Sequence, residues 1–171
     1  MNNLNHLEDS RILSPVVLNA IDYLLLKNRN FIFGGSLALN AVGIIKRPIK
    51  DLDIIIDEGD IDEFDIRGIV KKNPSKDNEC YETSQEIGGR QIKRYPASIH
   101  EVKVCFFVDP DPTYSVFKFK DRKIRINNVN DAIMAKRTFL ETPGVRPESF
   151  LKHMMDINTY QAFIKSYFLE D

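Results

Sequence analysis

The chain has 171 residues, enough for one domain with a real core, and its 24 basic and 25 acidic side chains leave a net charge of −1. That balance excludes global attraction to nucleic acid, so a polynucleotide partner would need a local patch. Hydrophobic residues make up 43% of the chain, yet no run approaches the ~18 apolar residues of a membrane span. The first ten residues are polar and lack a leader's charged-then-apolar pattern, and Cys80 and Cys105 show neither metal-ligand spacing nor a disulfide framework. A reducing cytoplasm and no membrane partner are the expectation.

His6 reads as a surface residue near a loose terminus. Ser14 with Pro15 predicts a helix start, continued by Val16 to Lys27 with Leu18, Ile21, Leu24 and Leu25 as its buried stripe. Phe31-Ile32-Phe33 follows as a short buried strand. Gly34 and Gly35 then permit a sharp turn and a close approach by a bound group. Ser36 stands at an expected helix N-cap before Leu37 to Ile45. A strand, glycine turn and helix start aim free N–H groups at one spot, which suits a phosphate. After the basic loop Lys46-Arg47-Pro48-Ile49-Lys50 comes a second strand, Asp51-Leu52-Asp53-Ile54-Ile55-Ile56-Asp57. Asp51 and Asp53 project from one face of it. Such carboxylates repel unless a cation lies between them, and hard oxygen ligands suit Mg²⁺. The alternation of strand and helix points to an α/β arrangement.

Asp60 to Lys72 is the next helix, its early Asp62 and Glu63 and late Lys71-Lys72 complementing the dipole. The acids from Asp57 to Asp65 read as a solvated loop and helix start in preference to a metal site. The polar stretch from Asn73 to Asn78 is a loop. Cys80 to Ile87 and Gln91 to Tyr95 form a hairpin turning at Gly88-Gly89. His100 to Val108 is a strand with Val102, Val104, Phe106 and Val108 on one face and Glu101, Lys103 and Cys105 on the other. A second hairpin pairs Tyr114 to Phe119 with Lys123 to Ile126. Its basic residues Lys118, Lys120, Arg122, Lys123 and Arg125 suit either solvated strand faces or nucleic-acid phosphates. Asn130-Asp131 caps a helix through Leu140, and Pro147 opens a last helix to about Leu169. His153 and Asp156, three apart, share a helix face and read as a hydrogen-bonded structural pair.

The Gly-Gly-Ser turn, short helix and Asp51-Leu52-Asp53 resemble the signature of the nucleotidyltransferase superfamily related to DNA polymerase beta. The basic loop is similar to its minimal, antibiotic-modifying and toxin–antitoxin-type members. The phrases Asp131 to Lys136 and Lys152 to Ile157 resemble their C-terminal helices. The resemblance implies a mixed sheet with flanking helices, as one domain over 1–171 with an α/β core at 1–127 and C-terminal helices at 128–171. It also implies a third acid on a later strand. Here Cys105 stands where that acid is expected, and a mostly protonated, soft thiol replaces neither a general base nor a Mg²⁺ ligand. Glu101 is on the same face but roughly 13 Å away along the strand, and Asp109 and Asp111 lie in a Pro-rich turn. Either Glu101 supplies the acid or the site has two.

The implied activity is Mg²⁺-dependent transfer of a nucleoside monophosphate from a nucleoside triphosphate to a hydroxyl acceptor. Asp51 and Asp53 would be catalytic and metal-binding, and Glu101 the third acid. Gly34, Gly35, Ser36, Arg47 and Lys136 would bind the nucleotide. The acceptor, whether small molecule, RNA or protein, stays open. So does a catalytically inactive relative that binds a nucleotide or a protein partner, such as an antitoxin or a phage or defence component.

Overall fold

The computed structural model describes residues 3–60, 63–76 and 83–169, with Glu63 and Phe64 described by backbone alone. The expected strand start at Cys80, the end of the 73–78 loop and Asp62 lie outside these residues. Ser14 caps α1 (Pro15–Lys27) by accepting from the Val17 N–H at 3.4 Å. The buried stripe of α1 is Val17, Ala20, Ile21, Leu24 and Leu25, with Leu18 only partly covered. The segment before it is not loose. Leu4, Leu7 and Leu13 are buried, and the Leu4 N–H donates to the Lys118 carbonyl at 2.8 Å. His6 is exposed, as its polarity suggests, with Nε2 3.2 Å from the Asn40 carbonyl oxygen.

The strands are β1 (Ile32–Phe33), β2 (Asp51–Asp57), β3 (Thr83–Ile87), β4 (Arg90–Ile99), β5 (Val102–Asp109), β6 (Tyr114–Phe119) and β7 (Arg122–Asn127). They form one mixed sheet in the order β3-β4-β5-β2-β1-β7-β6. β2 runs parallel to β5 and β1 parallel to β7, while every other neighbouring pair is antiparallel. Both hairpins form where β-branched and aromatic residues alternate around a turn. β4 runs four residues beyond the expected Tyr95, and its Pro96 sits in the ladder opposite Cys105.

Along β2 burial alternates with the pleat: Leu52, Ile54 and Ile56 are buried, whereas Asp51, Asp53, Ile55 and Asp57 are partly exposed. The buried set joins Phe33, Val104, Phe106, Ala97 and Ile126 in a core that α1 and α3 (Glu63–Lys72) close against β5 and β4. The acids therefore face away from the main core. Helices α4 (Val129–Glu141) and α5 (Pro147–Phe168) pack on each other, and α4 packs on α2 (Gly35–Ala41).

Three local expectations are corrected. The N-cap of α4 is Asn128, so the expected caps Asn130 and Asp131 lie inside the helix. Helix α2 starts at Gly35 with Gly34 as N-cap and stops at Ala41, so Ser36 lies inside it and Ile45 beyond it. The stop is a Schellman motif, with Gly43 at φ +78°. There the Gly43 N–H bonds to the Asn40 carbonyl and the Ile44 N–H to the Leu39 carbonyl, each at 3.0 Å. The strand expected from His100 begins at Val102 instead. His100 and Glu101 form the β4–β5 turn at φ 48° and 68°, left-handed values that no strand holds.

Candidate functional site

The site is assembled from one face of β2, the start of α2 and the facing sides of α4 and α5. Gly35 has φ +54°, and a Cβ there would overlap the Asp53 carboxylate. The group that the glycine admits is thus the chain's own acid, pressed against the turn. A Cβ on Gly34 would meet the Ile55 side chain, and the Gly34 N–H bonds to the Asp53 carbonyl at 2.8 Å. Both glycines fix where β2 lies relative to the turn.

The Ser36 hydroxyl, 5% exposed as a residue, accepts from Arg47 Nη2 at 2.7 Å and caps nothing. Arg47 then forks onto Asp156 of α5, with Nε 3.2 Å from Oδ1 and Nη2 2.7 Å from Oδ2. Lys136 of α4 reaches the same Oδ2 at 3.0 Å, its side chain 5% exposed against 3% for Asp156. Lys136 Nζ also lies 3.4 Å from His153 Nδ1. His153 and Asp156 are therefore not hydrogen-bonded to each other; each holds Lys136. Burial would raise Asp156, but the Arg47 hydrogen bond and then Lys136 outweigh it and hold its carboxyl below the ordinary value. Burial, followed by the charge of Lys136, pushes the His153 imidazole down to about 4, so it is neutral at pH 7.

Asp51 accepts from Lys152 of α5 at 3.2 Å. Burial works to raise it, yet Lys152, ahead of Lys136 and Arg47, keeps its carboxyl below the usual value. Asp53 moves the other way. Burial and the charge of Asp51 raise it, against Lys136, Lys152 and Arg94. One carboxylate is thus matched and its neighbour is not.

The register of β2 on β5 places Cys105 beside Asp53 and Lys103 beside Asp51. The thiol is buried and accepts from Arg94 Nη2 at 3.2 Å; burial pushes it up to about 11. Glu101 is not brought to the acids. The turn leaves its side chain 81% exposed, 3.6 Å from Lys76. Among the described residues no group of three or more His, Cys, Asp or Glu that could hold a metal occurs. Asp51 and Asp53 are two acids on one face of β2 that could together meet a divalent cation.

Of the residues singled out in the sequence, the fold gathers Gly35, Ser36, Arg47, Asp51, Asp53 and Lys136, with Gly34 behind them. Three partners were missed: Lys152, Asp156 as an ion-pair centre, and Arg94. Lys152 and Asp156 are four apart and share a helix face, which is a readable signal. Arg94 carries no such signal, because only the β4–β5 register brings it near Cys105. A groove of about 640 Å³, walled by Ile44, Ile45, Leu151 and Met155, adjoins the cluster at Arg47, Lys152 and Asp156.

No family model matches the chain, and no curated protein matches its sequence. Among solved structures it is similar to the crystal structure of a candidate nucleotidyltransferase from Thermotoga maritima, with a TM-score of 0.55 over 91% of this chain and 97% of that one. The fold is nucleotidyltransferase-like. At 16% identity the likeness establishes the fold alone. An antigenic nucleotidyltransferase-like protein from Paracoccidioides brasiliensis aligns at 15% identity over 84% of this chain and 73% of its own, but its TM-score of 0.42 carries no argument. No helix among the described residues is long and apolar enough to cross a membrane.

Proposed function

We propose that the chain binds a nucleoside triphosphate with Mg²⁺ and transfers its nucleoside monophosphate to a hydroxyl acceptor. The single observation behind this is the Asp53 carboxylate seated against Gly35, with Asp51 projecting from the same strand face. Mg²⁺ keeps several waters and takes one or two carboxylates together with substrate phosphates, so two acids are a sufficient donor set. Asp53, raised by burial and by its like-charged neighbour, is a carboxylate that a cation would relieve.

Asp51 and Asp53 would hold the ion, which when bound supplies charge neutralisation on phosphate oxygens. Lys152 would bind and neutralise the triphosphate, while the buried Lys136, held by Asp156 with Arg47, would add its positive charge to the site from within the protein. The groove beside α5 offers room for the acceptor. Its hydroxyl oxygen would bond to the α-phosphorus as the bond to the pyrophosphate leaving group breaks, and the hydroxyl proton would pass to solvent water. The protein makes no covalent bond itself, and positioning with electrostatics provides the acceleration.

Calorimetric titration of ATP, GTP, CTP and UTP with Mg²⁺ tests this, with pyrophosphate release followed in parallel. Metal-dependent binding should be lost by about 100-fold or more in the Asp51→Asn, Asp53→Asn double variant, which removes two charged ligands. No binding by the parent would sink the proposal. One observation favours binding without transfer: the neutral Cys105 beside Asp53 offers no base for the acceptor proton. Nucleotide binding without pyrophosphate release in the parent, with release gained in Cys105→Asp, would decide for that alternative.

A further inference from the structure

We propose that α5 is a dimerisation helix, whose outward strip packs antiparallel on the same strip of a second copy of this chain, about a two-fold axis midway between Asp156 and Ile157. This goes beyond the nucleotide-binding proposal and does not depend on it. The side of α5 turned to the rest of the protein carries the buried Asp156 and Ile157, with His153, Tyr160, Phe163 and Ile164 partly covered. The opposite side carries Glu148, Leu151, Met155, Asn158, Ala162 and Lys165, alternately three and four residues apart, and every one of them is exposed. That spacing is the seam along which two helices interlock. Two large apolar side chains stand on it, Leu151 at 62% exposure and Met155 at 68%.

The strip is complementary to itself in one register. With Met155 set opposite Asn158 of the second copy, Leu151 falls opposite Ala162 and Glu148 opposite Lys165, because the members of each pair lie equally far from the axis. The two-fold repeats each contact, as an isologous interface requires. A large side chain then meets a small one, which lets the two surfaces interdigitate. An acid meets a base at both ends. Among the described residues neither Glu148 nor Lys165 has an ion-pair partner within its own chain. The two Asn158 amides flank the axis, and an amide both donates and accepts, so they can bond to each other and fix the register. A parallel pair would instead set Glu148 against Glu148 and Lys165 against Lys165. This self-complementarity of charge and size is what selects a second copy over another protein. Leu151 and Met155 also line the groove beside Arg47 and Lys152, so the second copy would close one side of it.

Sedimentation equilibrium of the full chain, from micromolar to millimolar concentration, tests the proposal. The parent should show a monomer–dimer equilibrium. Leu151→Glu should weaken it by about 100-fold, since it puts an unpaired charge into the seam twice per dimer. Glu148→Lys and Lys165→Glu should each weaken it about tenfold, as two attractive pairs become repulsive. The double exchange Glu148→Lys, Lys165→Glu should restore the parent value to within about threefold, because it reverses both members of each pair. These side chains are exposed, so the far-ultraviolet circular dichroism of each variant should match that of the parent. A parent that stays monomeric at millimolar concentration would overturn the proposal and leave the strip to a different protein. So would a dimer insensitive to Leu151→Glu, whose interface must lie elsewhere, or a double exchange no tighter than the single variants. Should Leu151→Glu misfold, the charge exchanges decide alone.

Discussion

Two acidic centres share the cleft and are treated in opposite ways. Asp156, its side chain 3% exposed, receives Arg47 on both oxygens and Lys136 on one, so its charge is compensated inside the protein. Asp53 lies beside a second carboxylate and a neutral thiol, and burial raises it where Asp156 is lowered. A buried charge persists only if something compensates it. For Asp156 that partner is built in, and it ties the 43–47 loop to α4 and α5. For Asp53, Lys136, Lys152 and Arg94 oppose burial and Asp51 without outweighing them, and under the proposed function a bound cation would complete the compensation. The contrast separates a clasp that holds the cleft together from the acid that the proposed cation would meet.

The largest effect should come from breaking the clasp. Asp156→Ala leaves Lys136 buried and unpaired, and removing one member of a buried ion pair costs about 3–5 kcal/mol. Urea unfolding should show that loss as a lower midpoint at unchanged slope. A cost below about 1 kcal/mol, the range of surface pairs, would mean that Asp156 is no such centre. Next in size is Gly35→Ala, whose Cβ would collide with the Asp53 carboxylate at a left-handed φ of +54°. Strain of that kind costs about 1–3 kcal/mol. Nucleotide binding should fall further than stability does, because the displaced group is Asp53. Equal binding in Gly35→Ala and the parent would detach the turn from the site.

Much of this was legible in the sequence where chemistry is local. Alternation along Asp51 to Asp57 gave the strand and the face of its acids, and Ser14-Pro15 gave the start of α1. The order of Gly-Gly-Ser, short helix and acid pair pointed to a nucleotidyltransferase-like fold. Gly43 was a readable stop for α2 that the apolar residues Ile44 and Ile45 masked. What pairing decides was not legible. The meeting of Arg94 with Cys105 depends on the β4–β5 register, and that of Arg47 with Asp156 spans 109 positions. Glu101 looked like a strand residue because its neighbours alternate, yet the tight β4–β5 connection required it as a turn.

Acid titration sharpens the contrast between the two centres. Asp156 is lowered in the fold, so it contributes stability above the unfolded value of 3.8 that is lost as the pH falls through its folded value. Asp53 is raised, so between 3.8 and its folded value the native state binds the extra proton and stability rises as the pH falls. Asp53→Asn should therefore leave ligand-free stability at pH 7 unchanged or higher by up to about 1 kcal/mol, since it removes a repelled charge. Mg²⁺-nucleotide should then no longer raise the melting temperature. Unfolding of the variant and the parent at pH 4 and pH 7 checks both signs. A large loss of stability in Asp53→Asn would show that Asp53 is compensated after all.

The smallest effect concerns His153, which stands where the two centres meet. Its imidazole is pushed down to about 4 from 6.5, first by burial and then by Lys136, and it lies within contact of Lys136 Nζ at 3.4 Å. A lowered histidine binds its proton in the unfolded chain before it does in the native one. The parent should thus lose stability as the pH falls from 6.5 towards 4, with no further loss from this group below that. His153→Gln keeps an acceptor for Lys136 but cannot titrate, so at pH 7 it should change stability by less than about 1 kcal/mol. Between pH 6.5 and pH 4 its stability curve should be flatter than the parent's. An identical slope in variant and parent would place a protonated imidazole beside Lys136 and Asp156. The clasp would then hold one positive charge more than its geometry indicates, and its compensation of Asp156 would no longer set it apart from the Asp53 side.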